Sequence, residues 1–271
     1  MKTPLSLVPL LLVGSVSVSF GQNFNGATFF QPPLNVQHER TLGLLEIDNS
    51  PNVDDATSGN VTWTNSAGGY AGVGVSTLVG VHLYAYTETT GNSLVFGRDL
   101  EILGVASLLQ NELNSVVGAS VLSSWNATAD VTGLNILAGQ LYQVTFDIST
   151  GAGLPATLLS NASFDVTSSG VTSFGDGAGG LLNLLNVVSI GTSPDSDTGV
   201  ITFISDTNRS DLQFQFSANS ALSLGLLGNV DGNRNIMTFS NIQVQAIPEP
   251  SALALSAFLA GGVILRRRRG K

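Results

Sequence analysis

The sequence predicts an all-β fold, a two-sheet β-sandwich of jelly-roll type, and three observations carry that expectation. Short apolar–polar alternations recur between clusters of Thr, Ser, Asn and Gly, the pattern of half-buried strands joined by turns. Cysteine is absent, so stability has to come from a packed core rather than from cross-links. About 226 residues lie between the two apolar ends of the chain, a length that suits one sandwich domain.

In chain order, the first segment reads as a secretory signal peptide over residues 1–21. Lys2 supplies the positive start, Leu5 to Val18 the apolar stretch, and Ser19 and Gly21 the small residues before a cut after Gly21. The domain proper spans residues 22–247. Gly68 to His82 is a long strand-like run broken by glycines, and Thr90-Gly91-Asn92 marks a hairpin corner. Asp99 to Val117 carries apolar residues at spacings of three and four (Ile102, Ala106, Leu109, Leu113, Val116), which predicts a short helical insertion. Strands follow at Gln140 to Ile148, Gly199 to Ile204 and Asp211 to Phe216. Asp231-Gly232 is a second corner. The last strand, Asn235 to Ile247, places Ile236, Thr238, Ser240, Ile242, Val244 and Ala246 on one face.

Residues 248–271 form the tail: Pro248-Glu249-Pro250, fifteen apolar or small residues from Ser251 to Leu265, then Arg266, Arg267, Arg268 and Arg269. As a helix, the apolar part is about 22 Å long, short for a permanent span of a hydrocarbon core of about 30 Å. The arginines act as a membrane stop on the cytoplasmic side, leaving the domain outside. Two prolines hold the preceding backbone extended, a form that a protease-like cleft can grip.

This three-part tail is similar to the C-terminal signal of the PEP-CTERM proteins of Gram-negative, exopolysaccharide-producing bacteria. The resemblance covers Ile247 to Lys271 only. It implies that Pro248, Glu249 and Pro250 are recognised by an exosortase, a transpeptidase-like membrane enzyme, after transient anchoring in the inner membrane. The implied destination is the cell surface or an extracellular matrix. A plain tail anchor is the alternative that the physical reading leaves open.

Charge narrows the partners. Between Gln22 and Ile247 stand 18 carboxylates against Arg40, Arg98, Arg209 and Arg234, a net charge near −14 with no lysine. Such a field repels nucleic acid, whereas neutral glycans and divalent cations remain compatible with it.

Candidate chemistry is sparse. Gly175, Gly177 and Gly180 satisfy G-x-G-x-x-G, but Thr/Ser-rich strands flank them instead of a βαβ unit, so the match reads as accidental. Asp231, Asn233 and Asn235 begin a calcium-loop spacing that Ile236 and Ile242 break. Asp195 and Asp197, like Asp54 and Asp55, offer oxygen ligands for calcium in a loop, with a solvated turn as the competing role. No other cofactor is expected. His82 lies in an apolar run and is expected half-buried, and His38 beside Glu39 and Arg40 is expected on the surface. Trp63, Tyr70, Tyr84, Tyr86 and Trp125 are expected first to pack the core, large aromatics being the main source of buried area in such folds; a sugar-stacking platform is the second reading, for which Trp63 is the best exposed candidate. No Ser/His or paired-His motif indicates catalysis, and eighteen acids are too many to single out a glycosidase pair. The expected function is therefore non-enzymatic, structural or adhesive. Carbohydrate binding is the second reading and glycan hydrolysis the third.

Overall fold

A computed structural model describes residues 29–30, 34–38, 45–75, 79–103, 120–151, 159–188, 194–223 and 234–247. All lie in one unit, Gly21–Glu249. The signal-peptide segment, Asp231-Gly232, Asn233, Pro248 to Pro250, the apolar tail and Arg266 to Arg269 lie outside the described residues. No described helix is long and apolar enough to cross a membrane.

The described residues are all-β, in two antiparallel sheets. The larger contains β1 (Leu34–Gln37), β2 (Leu45–Asp48), β5 (Tyr70–Val75), β6 (Val79–Thr90), β7 (Ser93–Leu103), β9 (Leu141–Thr150), β11 (Val171–Phe174), β13 (Asp195–Ser205) and β15 (Arg234–Ala246). Its order is β11-β13-β9-β15-β7-β6-β5-β2, with β1 also pairing β6. The smaller contains β3 (Asn52–Ser58), β4 (Val61–Gly68), β8 (Ser120–Ile136), β10 (Leu159–Val166), β12 (Leu182–Asn183) and β14 (Arg209–Ser223), ordered β12-β10-β14-β8-β4-β3. One short helix, α1 (Leu184–Val187), is capped by the Asn183 side chain, which accepts from the Leu185 amide at 3.1 Å.

Alternation builds the core. In β8, Trp125, Ala127, Ala129 and Val131 turn inward while Ser124, Asn126, Thr128 and Asp130 turn outward. Buried side chains of both sheets form one cluster. Its centre is aromatic: Phe146 of β9 lies 4.7 Å from Phe164 of β10, and Phe216 of β14 lies 4.9 Å from Phe239 of β15, ring centre to ring centre. These contacts tie the sheets together through large rings, the densest source of buried area available to a cysteine-free chain.

The predicted hairpin at Thr90-Gly91-Asn92 is present: Thr90 pairs with Ser93, and Gly91 takes φ 57°. Two expectations are corrected. Asp99 to Leu103 belong to β7, where pairing of Asp99 with Tyr84 and Glu101 with His82 overrides the helical spacing; residues 104–117 lie outside the described residues. The last strand does not keep one unbroken face. Met237 and Phe239 face the core, and so do Ile242 and Val244, because register shifts at Asn235/Met237 and Ser240/Gln243 reset the phase.

Candidate functional site

One surface cleft of about 370 Å³ is lined by Asp147, Ile148, Ser149, Ser196, Asp197, Thr198 and Ser240. β9 supplies Asp147 and Ser149 from its outward positions, β13 supplies Ser196 to Thr198, and β15 supplies Ser240 beside its bulge. At that bulge Asn241 adopts φ 53°, the one positive φ of a non-glycine among the described residues, and its amide donates to the Asp147 carboxylate. Asn tolerates this conformation better than a branched residue does. Replacement of Asn241 by Val should therefore lower stability by about 1 to 3 kcal/mol, whereas Asn241→Gly should be tolerated; chemical denaturation of the two variants checks this. The sequence did hold a signal for the bulge. Phe239 and Ile242 are core-facing residues three apart in a strand, which requires one extra residue between them.

Asp195 and Asp197 do not stand in a solvated turn; they open β13, opposite Thr150 and Ile148. Each holds a local amide, Asp195 accepting from Ser196 at 3.0 Å and Asp197 from Thr198 at 2.7 Å. Their i, i+2 spacing puts both carboxylates on one side of the strand. Asp54 and Asp55 likewise lie on strand β3 rather than in a loop, and point to opposite faces. Among the described residues, no three His, Asp or Glu side chains converge as a metal site.

Trp63 packs in the core, which removes it as the exposed candidate for sugar stacking. It is 0% exposed, turned inward from β4, and its indole N–H donates to the Phe29 carbonyl at 2.8 Å. Asn65 to Gly68 continue the same strand. Trp125, Tyr70, Tyr84 and Tyr86 are buried as well. Trp125 donates to the Gly97 carbonyl at 2.8 Å, and the Tyr86 ring covers Gly97 where a side chain would stand, its hydroxyl donating to Asn235 at 2.8 Å. Burial, then the charges of Glu88 and Asp99, push the Tyr86 phenol up. Burial also pushes the Glu88 carboxyl up, so the folded state holds that proton more tightly than the unfolded chain. The corresponding stability is present at low pH and is lost as pH rises through the folded value.

His38 is buried too, against expectation. Its backbone amide donates to the Ala85 carbonyl at 3.4 Å, its Nε2 lies 3.3 Å from the Asp48 carboxylate, and its ring centre is 6.0 Å from Tyr70. Tyr70 in turn lies 5.8 Å from His82, which is 7% exposed. The two histidines of the chain thus flank one interior tyrosine. Sequence reasoning missed this cluster because β1, β2, β5 and β6 bring it together from distant segments. It also missed Asn65, fully buried, whose amide finds no hydrogen-bond partner among the described residues; a group of this kind calls for an ordered water.

The glycine-rich segment is closed on itself. Gly175 donates to the Gly180 carbonyl at 2.6 Å and Gly177 to that of Leu181 at 2.8 Å, so these amides are spent within the loop and do not form a phosphate cradle. Asp176 accepts from the Asn186 side chain and the Asn183 amide, both at 2.8 Å, and these bonds hold its carboxyl below the usual range.

No family model matches the sequence. No curated protein matches it either. Among solved structures, the enzymatically active domain of tailspike protein 4 of bacteriophage CBA120 is similar over 84% of this chain at 9% identity, with a TM-score of 0.29. The chain covers 21% of that phage protein, and a score this low assigns neither fold nor activity.

Proposed function

We propose that this chain is an exported, non-enzymatic protein of structural or adhesive type, a jelly-roll sandwich displayed on the cell surface or in the exopolysaccharide matrix of a Gram-negative bacterium. An exosortase sorts it there through Pro248, Glu249 and Pro250, after transient anchoring by the apolar tail and its arginine stop. The observation that supports this reading most is where the domain ends. β15 stops at Ala246, Ile247 is held by its amide to the Leu141 carbonyl at 2.8 Å and by its own carbonyl to Gln140 at 2.7 Å, and the next residue is Pro248. Proline has no N–H with which to extend the ladder. A sheet closed at residue 247 leaves the motif as its immediate neighbour, so processing at the motif spares the fold. The test is a chain ending at Ile247. It should be exported and recovered free in the medium, while the full chain stays with cells or matrix; cell association of the truncated chain would contradict the reading.

A further inference from the structure

The outward face of the smaller sheet is a regular array of short hydroxyl and amide side chains. One row runs Asp165, Gln215, Thr128, Thr64, Asp55 across β10, β14, β8, β4 and β3. The row beside it places Ser163, Ser217, Asn126, Ser66 and Val53 in register. A third continues through Gln213, Asp130, Thr62 and Thr57. Neighbouring strands stand about 4.8 Å apart and successive outward residues about 6.8 Å, so the face is a grid of polar groups. None of these positions holds Lys, Arg, Glu or an aromatic residue.

Many of the side chains are fixed in place by one another. Gln213 donates to Asp130 at 2.7 Å and accepts from Thr167 at 2.6 Å; Thr57 and Thr62 share a hydrogen bond of 2.9 Å, and Ser163 and Ser217 one of 2.8 Å. Ser173 holds Asp165 at 2.6 Å. A face built for solubility alone ordinarily carries long charged side chains with much rotamer freedom. Short side chains already ordered across strands lose little entropy when a ligand settles on them, and they present donors and acceptors together.

We infer that this face binds a neutral, polyhydroxylated glycan chain lying across β4, β8 and β14, by hydrogen bonding rather than by ring stacking. The inference rests on the reading of the domain as one displayed in a glycan matrix. Charge selects the occupant: the face carries the carboxylates of Asp55, Asp130, Asp165 and Asp211, and the one cation beside them, Arg209, is held by Asp211 at 2.9 Å, so an acidic polymer is repelled.

The test uses the purified full chain in affinity electrophoresis through gels containing dextran, galactomannan or mixed-linkage β-glucan, with alginate as the acidic comparison. At least one neutral polysaccharide should retard the protein and alginate should not. Thr64→Val with Thr128→Val keeps strand preference and removes two hydroxyls, and should weaken retardation about tenfold. Thr145→Val with Thr202→Val, on the other sheet, should leave it unchanged. Should the first pair not fold, hydroxyl-radical footprinting of the wild-type chain with the retarding polysaccharide should show protection of β4, β8 and β14. Retardation by no neutral polysaccharide, equal loss in both pairs, protection elsewhere, or self-association that accounts for the shift would each overturn the inference. C-terminal processing would be untouched by that failure, which separates it from failure of the sorting reading.

Discussion

Trp63→Ala should cost the domain about 3 to 5 kcal/mol, the range for removing a large buried aromatic, against a total stability of about 5 to 15 kcal/mol for an ordinary domain. The indole packs 5.5 Å from Phe29, 5.8 Å from Phe30 and 6.5 Å from Phe216, ring centre to ring centre, and supplies the donor for the Phe29 carbonyl. Truncation opens a cavity between strand and sheet and leaves that carbonyl buried without its donor. Trp63→Phe retains most of the ring packing, so its cost should be about 1 to 3 kcal/mol, set largely by the lost hydrogen bond. Urea denaturation followed by far-UV circular dichroism measures both. An unchanged midpoint for Trp63→Ala would mean that the ring is not in the interior.

Glu249→Ala should have the largest effect on location. If an exosortase recognises the three-residue motif, loss of its only charged group leaves the flanking prolines but removes the group that a basic or hydrogen-bonding cleft would hold. The chain should then accumulate in the membrane fraction with its tail intact, larger by about the mass of residues 250–271. Because β15 ends at Ala246, the same substitution should leave the denaturation midpoint of the folded domain unchanged. A shift in that midpoint would mean that Glu249 serves the fold instead. Fractionation followed by immunoblotting, with denaturation of the extracted protein, separates the two outcomes.

The β character of the chain was legible because period-two alternation and turn residues are local signals, and β9, β13, β14 and β15 stand close to where those signals put them. What misled was context. Asp99 to Leu103 carry a helical spacing, yet the ladder to β6 decides their conformation. Trp63 sits between threonines, which on a strand means only that its neighbours face the other way; the alternation that places Thr62 and Thr64 outward is what places Trp63 in the core. His38 follows the same lesson from the other direction, for the segment carrying Asp48 folds back beside it and no local pattern announces that partner. The polar grid on the smaller sheet was invisible for a related reason. Each strand shows only scattered Ser, Thr, Asn and Gln, and the rows exist only after registers bring β10, β14, β8, β4 and β3 side by side. The bulge at Asn241 was within reach of the sequence, since core residues three apart cannot share a face of an unbroken strand.

The measurement that bears most directly on the sorting reading is the intact mass of the protein recovered from the outside of producing cells, with sequencing of its last peptide. The predicted result is a chain that ends within Pro248 to Pro250, carrying at most what the processing enzyme attaches there. Recovery of the surface protein with Arg266 to Arg269 still in place would contradict it.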